Sequence, residues 1–280
     1  MKTKKWTIVL LGVFVVLMGI FTFTDLQISQ TLFNIQSPLG QFFEAFGEFP
    51  NVAFGALGFG ILLFNHKSKK ALGVIIGIWC CIMFALNSFL SGYMPMHYLM
   101  DGFSPWIVVI AAVMLAVGLW SGLAVKKLEP QRRESFRRVA MVAIWHGYAA
   151  TAIIQVLKQI WGRVRFRELM APFADFTSWF LPQFGRFSMY KDPTSFPSGH
   201  TAGSAVVFVI ILFPLLFPAL RNKKPMLIAI ASVWVVLVAL SRIIMGAHFA
   251  SDVTMGAALS LVAFAVICRI IKIKELPKMN

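Results

Sequence analysis

Apolar residues in this chain gather into long runs separated by short polar segments. Eight runs can be drawn, over 6–24, 50–65, 71–93, 104–125, 139–157, 199–219, 226–245 and 249–271. A helix needs about 20 apolar residues to cross the hydrocarbon core of a bilayer, and most of these runs reach or approach that length. The second run is short and the last two nearly abut, so six or seven crossings also satisfy the pattern. Between the first two runs, 25–49 mixes polar positions with several phenylalanines and reads as an interfacial amphipathic helix or a structured loop. The pattern predicts an all-α polytopic membrane bundle of about eight transmembrane helices, forming a single integral unit over 1–280. The basic start Met1-Lys2-Thr3-Lys4-Lys5 and its apolar run imitate a secretory signal. The run is about twice the usual apolar length and no small-x-small cleavage site follows, so an uncleaved first helix is expected.

Composition strengthens this picture. Of 280 residues, 59% are hydrophobic and 13% charged, with a mean hydropathy of +0.78; a soluble domain carries about 25% charged residues. The net charge of +15 would raise nucleic acid as a partner of a soluble protein, but membrane proteins concentrate Lys and Arg in cytoplasmic loops. With the N-terminus inside and eight crossings, nineteen of the 26 basic residues fall on the inner side. Both termini are therefore expected in the cytoplasm, and nucleic acid is excluded as a partner. The seven exceptions all lie between Lys158 and Arg242. Positive charge that breaks the topological rule in one region points to an anion. The cysteines Cys80, Cys81 and Cys268 sit in apolar runs without metal-ligand spacing, and read as packing residues.

Three clusters carry candidate chemistry. Lys158 and Arg165 are seven positions apart, two turns of a continuing helix, although cations at a helix end commonly snorkel past lipid. Pro197-Ser198-Gly199-His200 opens the sixth run with residues suited to a helix start, whose free N–H groups favour an anion. The third cluster is Ser241-Arg242, then His248 and Asp252 between the last two runs. Ionisable groups beside hydrocarbon mark a functional site by default, an arginine fork suits phosphate oxygens, and a carboxylate four residues from a histidine can hold and charge it.

Together these clusters resemble the three-part signature of the type 2 phosphatidic acid phosphatase superfamily, a group related to bacterial acid phosphatases and vanadium haloperoxidases. The 31 residues between Arg165 and Pro197 and the 40 between His200 and Ser241 suit that pattern. The resemblance implies that His248 attacks phosphorus in line and forms a phosphohistidine, with Asp252 orienting and charging it. It implies that His200 protonates the leaving oxygen and then activates water, while Lys158, Arg165, Ser198, the Gly199 N–H and Arg242 bind the phosphoryl oxygens. It also implies a reaction without metal or cofactor, and a six-helix core preceded by two extra helices. On this reading 1–138 holds N-terminal helices and 139–272 the catalytic ones. One departure is visible: the family's first motif ends Arg-Pro, whereas Phe166 follows Arg165, which leaves Arg163 and Arg167 as competitors for its role.

Arg163, Arg167 and Arg186 are candidates to steer an anionic headgroup, and His97 is a candidate headgroup contact from its loop position. His146, mid-run, reads as a helix–helix hydrogen-bond partner. The expected function is a metal-independent phosphatase acting on a lipid phosphate or diphosphate at the outer membrane–water interface, with undecaprenyl diphosphate, phosphatidylglycerol phosphate and phosphatidic acid as substrates the resemblance allows. The expected partners are that lipid and the bilayer. A lipid phosphotransferase using the same phosphohistidine, an anion transporter and, as a minor option, a vanadate-dependent halide oxidant are the alternatives.

Overall fold

The computed structural model describes residues 2–68, 70–100, 103–169, 175–184 and 194–276, with side chains from Ile8 onward. Among the described residues nine α-helices follow in order: α1 Lys2–Leu32, α2 Pro38–Phe46, α3 Phe49–Asn65, α4 Lys70–Leu99, α5 Pro105–Lys126, α6 Pro130–Trp161, α7 Gly199–Ser204, α8 Lys224–Ile244 and α9 Ala250–Ile270. Helix α7 tightens into 3₁₀ turns over Ala205–Leu215, and a further 3₁₀ segment, Pro218–Lys223, leads into α8. No strand occurs among the described residues. Among the described residues seven helical segments are long and apolar enough to cross a membrane, and Gly199–Leu215 is a shorter apolar one. The eight expected segments are all helical, but the sixth is too short to count by length. The larger difference is at the front: α1 runs on to Leu32, past the expected end at 24, and α2 occupies part of the ambiguous stretch.

Helix ends follow local chemistry. Ser37 caps α2, its hydroxyl accepting from the Gly40 N–H at 3.2 Å, and Ser104 caps α5 through the Trp106 N–H at 3.3 Å; each precedes a proline whose missing N–H is no loss in a first turn. Helix α6 stops at Gly162, whose φ of +54° is the left-handed conformation glycine adopts without strain. Three packed cores occur among the described residues. One joins α3, α4, α5 and α6 through Phe59, Phe84, Met114 and Ile144; a second joins α6, the 3₁₀ part of α7 and α9 through Val142, Val206, Val209 and Phe264. A third joins α1, α8 and α9 through Ile243, Ala250 and Val253 against Phe21 and Ile28. Buried His146 bridges α6 to α9, its Nε2 2.9 Å from both the Ser260 carbonyl and hydroxyl oxygens. Large apolar side chains such as Phe23, Trp106 and Trp120 point outward, as expected of a lipid-facing surface.

The two ends of the bundle differ. At one end Lys67, Arg137 and Arg138 surround Glu134, and Arg138 reaches the Lys272 carbonyl at 2.9 Å. At the other, the end of α6 and the starts of α7 and α9 meet the end of α8. Helix α1 packs on α9, and α2 lies against α4 and α8.

Candidate active site

The turn between α8 and α9 is set by the carbonyl of Arg242, which accepts from the N–H groups of Ala247 (3.0 Å) and His248 (3.2 Å). Gly246 allows that reversal with φ +61°. A Cβ there would lie 2.7 Å from the Phe33 ring. His248 therefore sits just ahead of α9, and Asp252 in the first turn of α9 accepts from the Phe249 N–H at 2.8 Å. This is the reach-back of an acidic third residue to the helix start.

The geometry around His248 differs from the expected direct pair. Its Nδ1 is 2.6 Å from the backbone carbonyl of Ser195 and 3.8 Å from Asp252. A carbonyl only accepts, so Nδ1 carries the proton and Nε2 is left with its lone pair. Asp252 orients the ring through an intermediary: the Ser195 hydroxyl donates to the Asp252 carboxylate. Burial pushes the His248 imidazole down to about 4, opposed by Asp252 and reinforced by the Lys158 and Arg165 cations. At neutral pH the ring is uncharged.

Ser198 caps α7, its hydroxyl accepting from the Thr201 N–H at 3.3 Å and lying 3.0 Å from the Thr201 hydroxyl. The expected phosphate contact of Ser198 is thus committed, in this state, to the helix start. The Ser198 N–H donates to the Asp252 carbonyl at 3.0 Å, tying the second and third clusters together. Gly256 of α9 packs directly on this loop; a Cβ there would lie 2.4 Å from the Ser198 carbonyl oxygen. Lys158 lies over the start of α7, its Nζ 3.9 Å from where a Gly199 Cβ would stand. His200 is half-buried, and its Nε2 makes no hydrogen bond to the described residues. Lys158, Arg165, Arg242 and His248 all act electrostatically on His200, so the three sequence clusters converge. Among the described residues no group of three or more His, Cys, Asp or Glu side chains is close enough to hold a metal ion.

Comparison with known proteins bears on this convergence. Residues 139–275 match the PAP2 superfamily. The chain carries a PAP2 superfamily domain. It is also similar to phosphatidylglycerophosphatase B of Bacillus subtilis (strain 168), with 38% identity over 81 residues, 28% of this chain and 40% of that one. The chain thus spans less than half the length of this curated relative. No solved structure matches it.

Within the PAP2 domain, Arg163 corrects the expectation of a headgroup contact. Its guanidinium is fully buried, donating to Asp252 at 2.5 Å, Ser251 Oγ at 2.9 Å, the Thr177 carbonyl at 2.8 Å and Asp25 at 3.0 Å. It also lies 4.0 Å over the Phe249 ring. A buried charge persists only when paired and hydrogen-bonded, and here two carboxylates share one guanidinium. Phe166, in place of the family proline, packs edge-on against Phe33 (5.3 Å) and Phe249 (6.3 Å). That packing fixes the 3₁₀ turn Phe166–Glu168 after Arg165. Arg167 joins this turn to the His248 loop through its N–H to the Gly246 carbonyl, 3.0 Å. Arg186 lies outside the described residues.

Segments outside the PAP2 domain complete the site, and sequence reasoning missed them. Asp25 of α1 is buried beside Arg163 and accepts from the Ser251 N–H at 2.9 Å. Glu44 of α2 accepts from Arg242 Nη1 at 2.9 Å, and the Gly40 carbonyl accepts from Nη2 at 3.2 Å. Glu48 lies 3.9 Å from His200 Nδ1. His97 is exposed and stacked on Tyr93 at 5.4 Å; its neighbour Tyr98 is the residue that faces His200, edge-on at 5.8 Å. A signal was available: Asp25, Glu44 and Glu48 are ionisable groups in a phenylalanine-rich stretch beside hydrocarbon, the same criterion that singled out His248.

Proposed function

We propose that the chain is a membrane-embedded phosphatase of a lipid phosphate or diphosphate, working through a phosphohistidine on His248. The observation that carries this reading is the Nδ1 proton of His248 held on the Ser195 carbonyl. It leaves Nε2 unprotonated on a ring that feels the Lys158 and Arg165 cations, as His200 feels these and Arg242. In the first step Nε2 bonds to phosphorus and the P–O bond to the lipid breaks. The electron pair leaves on the lipid oxygen, which takes a proton from His200. In the second step His200 accepts a proton from water, the water oxygen bonds to phosphorus, and the P–N bond breaks to free His248 and inorganic phosphate. The cations and the α7 N–H groups stabilise the equatorial oxygens, where most of the catalysis of phosphoryl transfer resides.

Most basic residues, nineteen of 26, fall in segments read as inner, among them the Lys67, Arg137 and Arg138 group at the end opposite the site; by the positive-inside rule this supports a site at the outer leaflet. The headgroup enters there while the lipid tail stays in the bilayer. The name of the similar Bacillus protein places phosphatidylglycerol phosphate first among the substrates to try.

The test is phosphate release from phosphatidylglycerol phosphate, phosphatidic acid and undecaprenyl diphosphate in detergent, with and without chelator, for the native chain and His248→Ala. The expected result is release that survives chelation and is lost in His248→Ala, with a 32P label trapped on the native chain by acid-free quenching. Undiminished release by His248→Ala overturns the reading.

A further inference from the structure

A general acid placed among phosphate-binding cations faces an electrostatic difficulty. Lys158 from α6, Arg165 beyond it, Arg242 from α8 and the His248 ring all bear on His200. Each cation that clamps the phosphate also disfavours a proton on that imidazole. The His200 ring also lies T-shaped to Tyr98 at 5.8 Å. Some negative group has to balance this side of the ring.

Glu48 meets that requirement geometrically. It stands at the entrance to α3, outside the PAP2 domain, with Oε1 3.9 Å from His200 Nδ1. Its side chain lies across Gly203, one turn along α7 from His200 on the same face. A Cβ at Gly203 would come within 3.1 Å of Oε1 and 3.2 Å of Cγ, so the missing side chain leaves the carboxylate its bed. Nδ1 of His200 faces Glu48, and Nε2 has no hydrogen-bond partner among the described residues. The leaving oxygen needs that second nitrogen. In both histidines the protein oxygen stands on the Nδ1 side, hydrogen-bonded at 2.6 Å for His248 and at ion-pair distance, 3.9 Å, for His200.

We infer that Glu48 is the positioning residue of the general acid: it holds His200 with Nε2 toward the leaving oxygen and favours the protonated ring that donates there. This rests on the proposed phosphatase reaction and on His200 as its acid. The N-terminal segment would then supply part of the proton-transfer apparatus, and the PAP2 domain alone would protonate lipid alkoxides poorly.

A proton donor matters for an alkyl leaving group and little for nitrophenolate, which leaves unassisted. The experiment therefore measures kcat/KM, which reports only steps up to loss of the leaving group, for phosphatidic acid and for p-nitrophenyl phosphate. The variants are Glu48→Gln, Gly203→Ala and His200→Ala in the full chain. Removing a general acid outright costs roughly 10²–10⁴-fold, and its positioning partner is expected to account for about tenfold of that range. Glu48→Gln is expected to lower kcat/KM by that factor on the lipid and less than threefold or so on the aryl ester. Gly203→Ala, which displaces the carboxylate without altering charge, should show the same selectivity in weaker form, and this keeps the question answerable if Glu48→Gln fails to fold. Equal losses on both substrates, or none on either, overturn the role of Glu48. If His200→Ala itself fails to discriminate the two leaving groups, the general-acid assignment falls and this inference with it. A discriminating His200→Ala beside an unselective Glu48→Gln defeats this inference alone.

Discussion

Replacing Gly256 by alanine adds a single methyl group where α9 touches the loop that starts α7. The new Cβ would stand 2.4 Å from the Ser198 carbonyl oxygen, about 1 Å short of the 3.4 Å at which ordinary contact begins. The obstructing atom is backbone and cannot rotate aside. It is further held by the Ser198 N–H bond to the Asp252 carbonyl, 3.0 Å. The loop and α9 must therefore separate by about 1 Å, which carries Gly199 and His200 away from His248 and Asp252. Overpacking of this kind destabilises by about 1–3 kcal/mol, and a misplacement of about 1 Å at a reacting centre lowers rate by about 10²-fold. Phosphate release from a lipid phosphate, normalised to folded protein, is expected to fall by about two orders of magnitude, with a thermal midpoint lowered by a few degrees. Gly12→Ala, with nothing within 4 Å of the added atom, is the control and should leave both unchanged. A Gly256→Ala protein with native kcat and native midpoint would refute the claim that this backbone contact sets the spacing of the two histidines.

Three further outcomes follow from the same geometry. Because burial pushes the His248 imidazole down to about 4, the ring stays unprotonated as pH falls through 6.5 and gains its proton only nearer 4, and the proposed attack on phosphorus is lost there. The acid limb of kcat/KM, corrected by a 31P titration for the substrate's own ionisation, should then lie well below that of a free imidazole, and a limb at 6.5 would contradict the buried, carbonyl-bound ring. Asp25→Asn removes one of the two carboxylates on the buried Arg163 while leaving Asp252 in place, so the loss is that of a charged hydrogen bond, about 1.5–3 kcal/mol; chemical denaturation should register a loss of that order, whereas native stability would show that α1 is a passive neighbour. Ser195→Ala deletes the hydroxyl that donates to Asp252 but keeps the carbonyl that holds His248. Its kcat should fall by about 10- to 100-fold, the worth of one charged hydrogen bond at about 1.5–3 kcal/mol, and less than in Asp252→Ala; equal losses in the two would disprove the relay through Ser195.

The amino-acid sequence on its own determined the solvent and the residue clusters that the fold brings together. Hydrocarbon demands runs of apolar residues and helical hydrogen bonding, so the helices of α3 to α9 are written as local pattern. The reactive groups are equally local: Lys158 and Arg165 lie near one helix end, His200 opens another, and Arg242, His248 and Asp252 share one turn. What tertiary structure alone decided is which protein atoms each reactive group meets. Asp25 and Ser251 are 226 positions apart, and Arg242 and Glu44 are 198 apart; no spacing rule links such pairs. Arg163 looks like a headgroup cation until α1 is seen to bring a second carboxylate to it. The His248–Asp252 pair looks direct until the 194–198 loop puts the Ser195 carbonyl and hydroxyl between them. In both cases the deciding quantity is desolvation. A charge buried at 0–1% exposure must find its partners inside the fold, and only packing in three dimensions says which partners are within reach.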